Sequence, residues 1–291
     1  MTDRQELRDD LPVWMFTDGR GRTTAVPGTP RRVAAYLRTA AALADLGVQP
    51  IAAYGSAHDG PAPDPAKSGA LDWNRTAYLG AGEQLDERAL AALSPDLLVG
   101  VTYDGKTPYG LPSGSAERLT TDLPSVMLHV GGDRSLPDLL DDTARLAAAL
   151  GSPEAGADRG RSRLTAAEDA LRRASSGRPG ARLLALSGAD AERAYVAHPD
   201  AWPELRHLRG LGLRMVEPPW DGGTSWATQP WTGVTRLSPD VVLVDVRGNA
   251  RPLAEVRTLL PPGAVAVPWN PEWPPSPDGA ARLLTELSRV L

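Results

Sequence analysis

Charged side chains follow several short apolar segments of the chain, at the points where strands are expected to end. Arg38 comes two residues after the apolar segment Val33–Tyr36. A guanidinium at such a point can bind a carboxylate, hydroxamate or phosphate through two parallel hydrogen bonds. The alternative is a surface arginine at the start of a helix, where the helix dipole disfavours a positive charge. The position of Arg38 therefore favours a ligand-binding role.

Two further loops carry aromatic and imidazole groups. The segment 51–54 ends at Tyr54, and the loop behind it holds His58. Trp73 lies in the loop that follows a proline-rich stretch at 61–65. Such groups bind planar or amphipathic ligands by stacking and by a few polar contacts. The alternative is an ordinary turn rich in glycine, aspartate and serine, which the loop after Tyr54 fits equally well.

The most apolar segments in the two halves of the chain are also followed by polar or aromatic side chains. Tyr103 and Tyr109 come after the segment 96–101, and Arg247 comes after its counterpart in the second half. Because the carboxyl ends of strands in open α/β sheets are where ligands bind, these side chains are candidates for ligand contact. For Arg247 the alternative is a salt bridge to Asp245 or another nearby acid.

Most of the eight tryptophans are predicted to lie in loops. Trp226 stands among proline, glycine, threonine and serine together with Trp231, and Trp269 precedes Asn270-Pro-Glu. Loop tryptophans often form small satellite cores, but several near strand ends also suit an amphipathic ligand. The complete set of predicted ligand-binding residues is Arg38, Tyr54, His58, Trp73, Tyr103, Tyr109, Tyr195, Trp226, Arg247 and Trp269.

The composition excludes several classes of protein. A net charge of −5 argues against a nucleic-acid partner, and no apolar run is long enough for a transmembrane span. The absence of cysteine excludes disulfides, cysteine-ligated metals and a thiol nucleophile. The 291 residues suffice for one large domain or two modest ones.

Catalysis is less expected than binding. The chain contains no Gly-x-Ser-x-Gly nucleophile motif and no Gly-x-x-x-x-Gly-Lys-[Ser/Thr] phosphate loop. Ser187, Asp190 and His198 lie near one another in sequence, but catalytic triads assemble in space, so this is weak support for a hydrolase. The four histidines lack the spacing of ligands on one helix, and no metal site or covalently bound cofactor is predicted.

Short apolar segments alternate with amphipathic helices, which predicts an α/β fold with two Rossmann-like lobes. An Arg- and Glu-rich helix over about 153–176 separates the two sets. We therefore divide the chain into an N-terminal lobe (1–151), a single long bridging helix (152–178) and a C-terminal lobe (179–291). The predicted strands are 33–36, 51–54, 96–101, 124–129, 182–187, 193–197, 240–246 and 264–267, and the other predicted helices are 39–46, 86–93, 136–150, 202–211 and 279–291.

Two sequence patterns occur in the same order in each half. The stretch Leu93-Ser-Pro-Asp, followed by an apolar run, recurs as Leu237-Ser-Pro-Asp with its own apolar run. Leu43-Ala-Asp-Leu-Gly-Val48 likewise recurs as Leu208-Arg-Gly-Leu-Gly-Leu213. In each pair a helix end is punctuated and a strand follows, so both lobes are predicted to share one plan.

An ordered set of segments resembles the substrate-binding proteins of iron–siderophore and cobalamin ABC importers. Thr29-Pro-Arg-Arg-Val-Ala-Ala-Tyr36 and Leu46-Gly-Val-Gln-Pro-Ile51 resemble their opening, and Phe16–Pro27 is similar to their first β-hairpin. Leu79-Gly-Ala-Gly and Leu123-Pro-Ser-Val match later blocks. The resemblance covers nearly the whole chain and is more specific in the first half.

The resemblance implies two α/β lobes, joined by one rigid helix, with the ligand in a cleft between them. It implies a ferric siderophore, a corrinoid or a haem-like ring as ligand, and an ABC permease as partner for uptake. Members of the family usually place a Glu on each lobe to grip the permease. At the matching place this chain has Arg88, with Glu87 beside it, and the second lobe has no acid before Pro239.

Family members are exported, yet the first ten residues contain no secretory signal and no lipid-bearing cysteine. The sequence as it stands therefore predicts a cytoplasmic location, and a chain without its leader, acting outside the membrane, is the alternative. The alternative function is a cytoplasmic protein that reuses this fold as a biosynthetic enzyme, a ligand carrier or a sensor.

Overall fold

The protein is described by a computed structural model that covers residues 12–291, so the start of the predicted N-terminal lobe, 1–11, lies outside the described residues. The chain forms two compact units. The first runs to Arg159 and takes in Pro274–Ser276, while the second comprises Gly160–Trp273 and Pro277–Leu291. The predicted α/β fold with two lobes and one linking helix is confirmed.

The first unit is built on a five-stranded parallel sheet in the order β5-β4-β3-β6-β7. Its central strands are buried on both faces, as their continuous apolar sequences require. The strands are β1 (Val13–Thr17), β2 (Thr23–Pro27), β3 (Val33–Tyr36), β4 (Ala52–Gly55), β5 (Ala77–Ala81), β6 (Leu97–Thr102) and β7 (Ser125–His129). The helices are α1 (Leu37–Asp45), α2 (Glu87–Ala92), α3 (Ala116–Asp122) and α4 (Leu136–Ala149).

The strands β1 and β2 form the antiparallel hairpin that the resemblance implied. Its inner face carries Trp14 and Phe16, and the Trp14 indole donates to the carbonyl of Ala149 at 2.8 Å. The buried Asp18 carboxylate accepts the backbone N–H of Met127 at 3.0 Å. The hairpin is thereby fixed to both α4 and β7.

The second unit contains a sheet in the order β11-β9-β8-β12-β13, with β10 also paired to β8. The strands are β8 (Arg182–Gly188), β9 (Arg193–Ala197), β10 (Arg214–Met215), β11 (Trp226–Pro230), β12 (Val241–Asp245) and β13 (Val265–Trp269). The Rossmann-like plan predicted for this lobe does not extend to β9, which runs antiparallel to both β8 and β11. The short connection from β8 to β9 explains this, because a parallel crossover needs a dozen or more residues.

One long helix, α5 (Glu154–Gly177), follows α4, and the passage from the first unit to the second falls within it. The remaining helices are α6 (Pro203–Gly210), α7 (Trp231–Arg236), α8 (Leu253–Leu259) and α9 (Pro277–Ser288). In the second unit α5 packs through the buried Ala167 and Leu171. Within residues 12–291, no helix combines the length and apolar character that crossing a bilayer needs.

The first Ser-Pro-Asp stretch forms a hydrogen-bonded corner between α2 and β6. The Asp96 carboxylate accepts the backbone N–H groups of Arg31 and Arg32 at 2.9 and 2.8 Å. The Arg32 guanidinium in turn donates to the carbonyl of Leu93, which follows α2. One carboxylate and one guanidinium therefore tie the start of β3 to the start of β6.

The second Ser-Pro-Asp stretch repeats this corner. The Asp240 carboxylate accepts the backbone N–H of Arg182 at 2.8 Å, and the Arg182 guanidinium donates to the carbonyl of Leu237 at 2.7 Å. Ser94 and Ser238 share the left-handed backbone, each with φ of 45°. The shared plan predicted from sequence is thus repeated at atomic level in the two units.

The second repeated pattern ends α1 and α6 in the same way. Gly47 and Gly212 have φ of 91° and 94°, a left-handed conformation that glycine adopts without a steric penalty. The next residue, Val48 or Leu213, donates its N–H to a carbonyl in the last turn of the helix at 2.8 or 3.2 Å. These caps set the direction in which the chain enters the next strand.

Several elements were not predicted. The strands β5, β10 and β11 and the helices α3, α7 and α8 lie where no strand or helix was predicted. Trp226 and Trp231, expected in a loop, instead begin β11 and α7. Their sequence, rich in glycine, proline and threonine, carries little apolar periodicity, and tertiary pairing with β9 decides the structure.

Substitution of alanine for Gly47 or Gly212 should lower the free energy of unfolding by about 1–2 kcal/mol each, because a Cβ disfavours the left-handed conformation. Gly210→Ala is the matched control, since it lies in α6 with open space beside it. It should leave stability unchanged or raise it by up to about 1 kcal/mol. Denaturant unfolding measures all three, and equal effects would contradict the proposed caps.

Candidate functional site

In the first unit, Arg38 lies at the carboxyl end of the parallel sheet. It is the second residue of α1, directly after β3, and it is 6% exposed. The first turn of α1 contains no acidic residue, although the positive end of a helix dipole favours one there. The guanidinium thus lies at the end of the sheet where open α/β sheets bind ligands.

Four tyrosine rings run in series from the core to the surface of the first unit. The ring centroids of Tyr54 and Tyr36 are 5.8 Å apart, those of Tyr36 and Tyr109 are 5.7 Å apart, and those of Tyr109 and Tyr103 are 4.9 Å apart. The last two pairs meet edge to face, a favourable geometry for aromatic rings. Tyr103, at the outer end, is 37% exposed and can contact a ligand.

Tyr54, predicted to bind the ligand, lies at the inner end of this series. It is fully buried, and its hydroxyl donates to the carbonyl of Val99 at 3.4 Å. Burial raises the pKa of the Tyr54 hydroxyl, which therefore stays neutral. These contacts give Tyr54 a place in the core beneath Tyr36, and they do not support direct ligand contact.

A carboxylate organises the loop that carries Tyr103. Asp104 accepts hydrogen bonds from the Thr102 hydroxyl at 2.8 Å and from the backbone N–H groups of Lys106 and Thr107 at 2.8 and 2.7 Å. The bonds from Thr107 and Lys106 hold the pKa of Asp104 well below its usual range. The loop after β6 is thus fixed by its own carboxylate.

The loop after β4 places His58 at an exposed tip. Below it, the Asp59 carboxylate accepts the backbone N–H of Ser56 at 2.7 Å. Trp73 lies elsewhere: it is half-buried against the core of the first unit and meets Tyr78 edge to face at 6.2 Å. His58 therefore suits the predicted role better than Trp73.

In the second unit, Arg247 follows β12 and is held between two buried acids. Its Nε and Nη2 donate to Asp245 at 3.1 and 2.8 Å, and its Nη1 donates to Glu272 at 3.0 Å. Burial alone would lower the pKa of Arg247, but the hydrogen bonds and charges of Asp245 and Glu272 outweigh it and raise the pKa. The predicted alternative, a salt bridge to Asp245, is therefore formed.

Three tryptophans of the second unit pack against one another. The ring centroid of Trp202 lies 5.0 Å from that of Trp226 and 5.7 Å from that of Trp269, and Trp226 and Trp269 are 5.9 Å apart. Trp269 ends β13 and is fully buried, whereas Trp202 and Trp226 remain half-buried. The cluster offers aromatic surface mainly through its two half-buried members.

Tyr195 and His198 lie on and after β9. Tyr195 is exposed and pairs across the sheet with Ser187, near the carboxyl end of β8. His198 is buried, and its ring lies 5.2 Å from that of the exposed Trp220. Tyr195 thus remains available to a ligand from the surface of the second unit.

The structure brings together only part of the predicted set. Arg38, Tyr103, Tyr109 and His58 lie at one end of the first sheet, because β4, β3 and β6 are adjacent and parallel. In the second unit, Arg247 and Trp269 lie at the carboxyl ends of adjacent strands. Among residues 12–291, no group of three or more His, Cys, Asp or Glu side chains is arranged to hold a metal ion.

Three residues that shape these surfaces were not predicted from the sequence: Trp202, Asp104 and Lys67. The stretch Asp104-Gly-Lys-Thr is typical of a turn in which an aspartate binds the backbone two residues on, and could have indicated the loop. For Lys67 the only available signal was the rarity of lysine, since just two of the 31 basic residues are lysines.

No protein-family model matches the chain, and no curated protein matches it in sequence. Among solved structures, DesE, a ferric-siderophore receptor protein from Streptomyces coelicolor, is 28% identical with a TM-score of 0.85, over 95% of this chain and 97% of that chain. The chain resembles siderophore-binding proteins. A siderophore periplasmic binding protein from Thermobifida fusca is 18% identical with a TM-score of 0.63, over 91% of this chain and 97% of that chain.

The heme binding protein HmuT has the same fold as well. It is 16% identical with a TM-score of 0.66, over 96% of this chain and 90% of that chain. The sequence-based resemblance to siderophore-binding proteins is therefore confirmed. The likeness to DesE extends over 95% of this chain, so it includes most of both units.

Asp104→Ala should loosen the loop after β6, because the N–H groups of Lys106 and Thr107 lose their acceptor. We expect their amide hydrogen exchange to accelerate by about tenfold or more, as local opening becomes easier. The carboxylate form makes these bonds, and its pKa is lowered. This set of hydrogen bonds to Asp104, the Asp104 clamp, is therefore complete at neutral pH and is lost only as the pH falls below the ordinary aspartate range.

Amide exchange measured by NMR tests both expectations. Glu117→Ala serves as the control, because this exposed residue of α3 lies outside the loop. Unchanged exchange of the Lys106 and Thr107 amides in the Asp104 variant would rule out the clamp.

Proposed function

We propose that this protein binds a ferric siderophore and serves its uptake. The observation that carries the proposal is the group at the end of the first sheet: a buried Arg38 after β3, and the partly exposed Tyr103 and Tyr109 after the adjacent strand β6. The likeness to a ferric-siderophore receptor over nearly the whole chain supports it. Iron enters this proposal as cargo, held by the chelator and not by the protein.

The chemistry of a ferric chelate fits the first unit. Hydroxamate and catecholate oxygens around iron carry negative charge, and a guanidinium can donate two parallel hydrogen bonds to such oxygens. The edges of Tyr103 and Tyr109 supply apolar contact with polar hydroxyl tips. We assign to Arg38 the polar anchor and to the two tyrosines the packing surface.

In the second unit we propose that the half-buried Trp226 and the exposed Tyr195 contact the ligand. Arg247 is given a different role, because its guanidinium is already bound to the carboxylates of Asp245 and Glu272. Its proposed role is to fix the loop after β12. Trp269 supports Trp226 from within the core, and Trp73 plays a comparable supporting part in the first unit.

The contacts of Asp190 argue against its part in a hydrolase triad. The Asp190 carboxylate is bound by the Arg193 guanidinium at 2.7 Å and by the N–H of Glu192 at 2.8 Å. The ring of His198 faces Trp220. These contacts engage the predicted acid in its own turn and give it no part in orienting the histidine, as a triad requires.

For uptake, we propose that the protein acts outside the cytoplasmic membrane and passes its ligand to an ABC permease. The likeness to a periplasmic binding protein supports this location over the cytoplasmic one expected from the N-terminal residues. The docking surface would differ from the usual one, since Arg88 occupies the matching place and Glu87 is bound to Ser115 and Arg118. Fractionation of producing cells tests the location.

A titration of the intrinsic tryptophan fluorescence with ferric hydroxamates, ferric catecholates, cobalamin and haem tests the ligand class. Trp226 and Trp202 should be quenched by a coloured chelate bound near them. We expect saturable quenching by a ferric siderophore at micromolar concentration or below. A response to haem or cobalamin alone would overturn the proposed ligand, and no response to any of the four would overturn the proposed function.

Arg38→Ala and Trp226→Ala should each weaken binding by about 1–3 kcal/mol, as expected when an anchor is truncated. Binding is measured by calorimetry, so that the loss of a fluorophore does not interfere. Arg289→Ala is the control: this exposed arginine of the second unit pairs with Glu286 on the surface and should bind like the unaltered protein. Wild-type affinity in both test variants would remove the proposed site.

A further inference from the structure

A fully buried ion pair lies beneath the loop that follows β4. The Lys67 ammonium is 2.8 Å from the Asp59 carboxylate, and both side chains are completely shielded from solvent. Lysine is almost absent from this chain, and Lys67 is one of only two. Lys67 is thus a buried lysine in a protein whose positively charged side chains are almost all arginines.

Each member of the pair is held in place by the local backbone: Asp59 binds the first residue of the loop, and Lys67 lies in a capped turn farther along the chain. Asp59 accepts hydrogen bonds from the N–H and the hydroxyl of Ser56 at 2.7 and 3.2 Å. The N–H of His58 donates to the same Ser56 hydroxyl at 3.3 Å. Lys67 belongs to a short 3-10 turn that begins after Asp64, whose carboxylate accepts the N–H of Ala66 at 2.9 Å.

Close contacts leave this loop little room to rearrange. A Cβ added to Gly55 would lie 2.7 Å from the Asp59 Cβ and 2.7 Å from the Tyr78 hydroxyl oxygen. The Tyr78 hydroxyl donates to the carbonyl of Gly60 at 3.1 Å. Burial and the charges of Asp59 and Asp64 raise the pKa of Tyr78 to about 12, so it keeps its proton at neutral pH.

Stability alone does not account for such a pair. Removing two charges from water costs several kcal/mol per ion, and a well-packed apolar pair of similar volume is often equally or more stable. What the ion pair adds is a fixed geometry, because one carboxylate must satisfy the ammonium and two Ser56 donors together. The exposed residue of this loop whose backbone N–H is held by the same Ser56 hydroxyl is His58.

We propose that Lys67 and Asp59 are positioning residues, which hold the loop 56–60 so that His58 meets the siderophore in a preformed conformation. The proposal rests on the proposed function. In the absence of the pair the loop would have to be ordered upon binding, and that ordering lowers affinity. The pair acts through His58 and does not itself touch the ligand.

The test is the double variant Lys67→Met/Asp59→Asn, which removes both charges and keeps an oxygen acceptor for Ser56. We expect it to remain folded and to bind the ferric siderophore found by titration about tenfold more weakly, through slower association and faster dissociation. Arg289→Met/Glu286→Gln removes an exposed ion pair of the second unit in the same way and should bind normally. Stopped-flow kinetics and denaturant unfolding give the required measurements.

Adding His58→Ala distinguishes positioning from general support. In the unaltered background His58→Ala should weaken binding, whereas in the double variant it should add little, because the two changes act through one contact. Additive losses would overturn the proposal, and so would wild-type kinetics in the double variant. If the unaltered protein binds none of the chelates tested, the proposed function is wrong. That outcome differs from the two above, which overturn only the positioning role.

A second measurement follows the loop directly. An amine-reactive ester should label Lys106 quickly and Lys67 only when the loop opens, and bound siderophore should slow the labelling of Lys67 further. Mass spectrometry of the two lysine-containing peptides reads both rates. Rapid labelling of Lys67 in the unaltered protein would show that the loop is not held, contrary to the proposal.

Discussion

A loop that leaves the carboxyl end of a parallel strand loses the ladder that paired its backbone, so its N–H groups need other acceptors. In this protein carboxylates are the acceptors. Asp59, Asp104 and Asp245 each accept backbone N–H groups in the loops after β4, β6 and β12. The candidate ligand contacts His58 and Tyr103 lie in two of these loops. The site can therefore be largely formed before a ligand arrives, which limits the entropy lost upon binding.

At the opposite ends of the strands, the two units use a second kind of carboxylate. Asp96 and Asp240 accept backbone N–H groups at the start of β3 and β8. In each unit the guanidinium of an arginine at the same place donates to a carbonyl at the end of α2 or α7. A bidentate group in this position fixes both the strand register and the helix approach. The repetition of this corner, together with the repeated glycine caps, gives the two sheets matching central strands.

Sequence predicted most of what depends on local pattern. The central strands β3, β6, β8 and β12 are continuous apolar runs, and the predicted bounds of α4 and α5 agree with the structure to within a residue or two. It failed where pairing across the chain decides, as at β11, whose tryptophan and threonine gain strand geometry from β9. The sequence also predicts which residues lie at strand ends but not where their side chains point. Tyr54 was therefore predicted to contact the ligand although its side chain lies in the core.

The two arginines show why orientation matters more than position. Both follow a central strand, and sequence treated them as equivalents. Arg247 has two buried acids within hydrogen-bond distance, so its guanidinium is already paired within the second unit. Arg38 lies in the first turn of α1, at the carboxyl end of the first sheet. A guanidinium already bound to two carboxylates has little to offer a negatively charged chelate, so we propose charge recognition for the first unit and apolar contact for the tryptophans of the second unit.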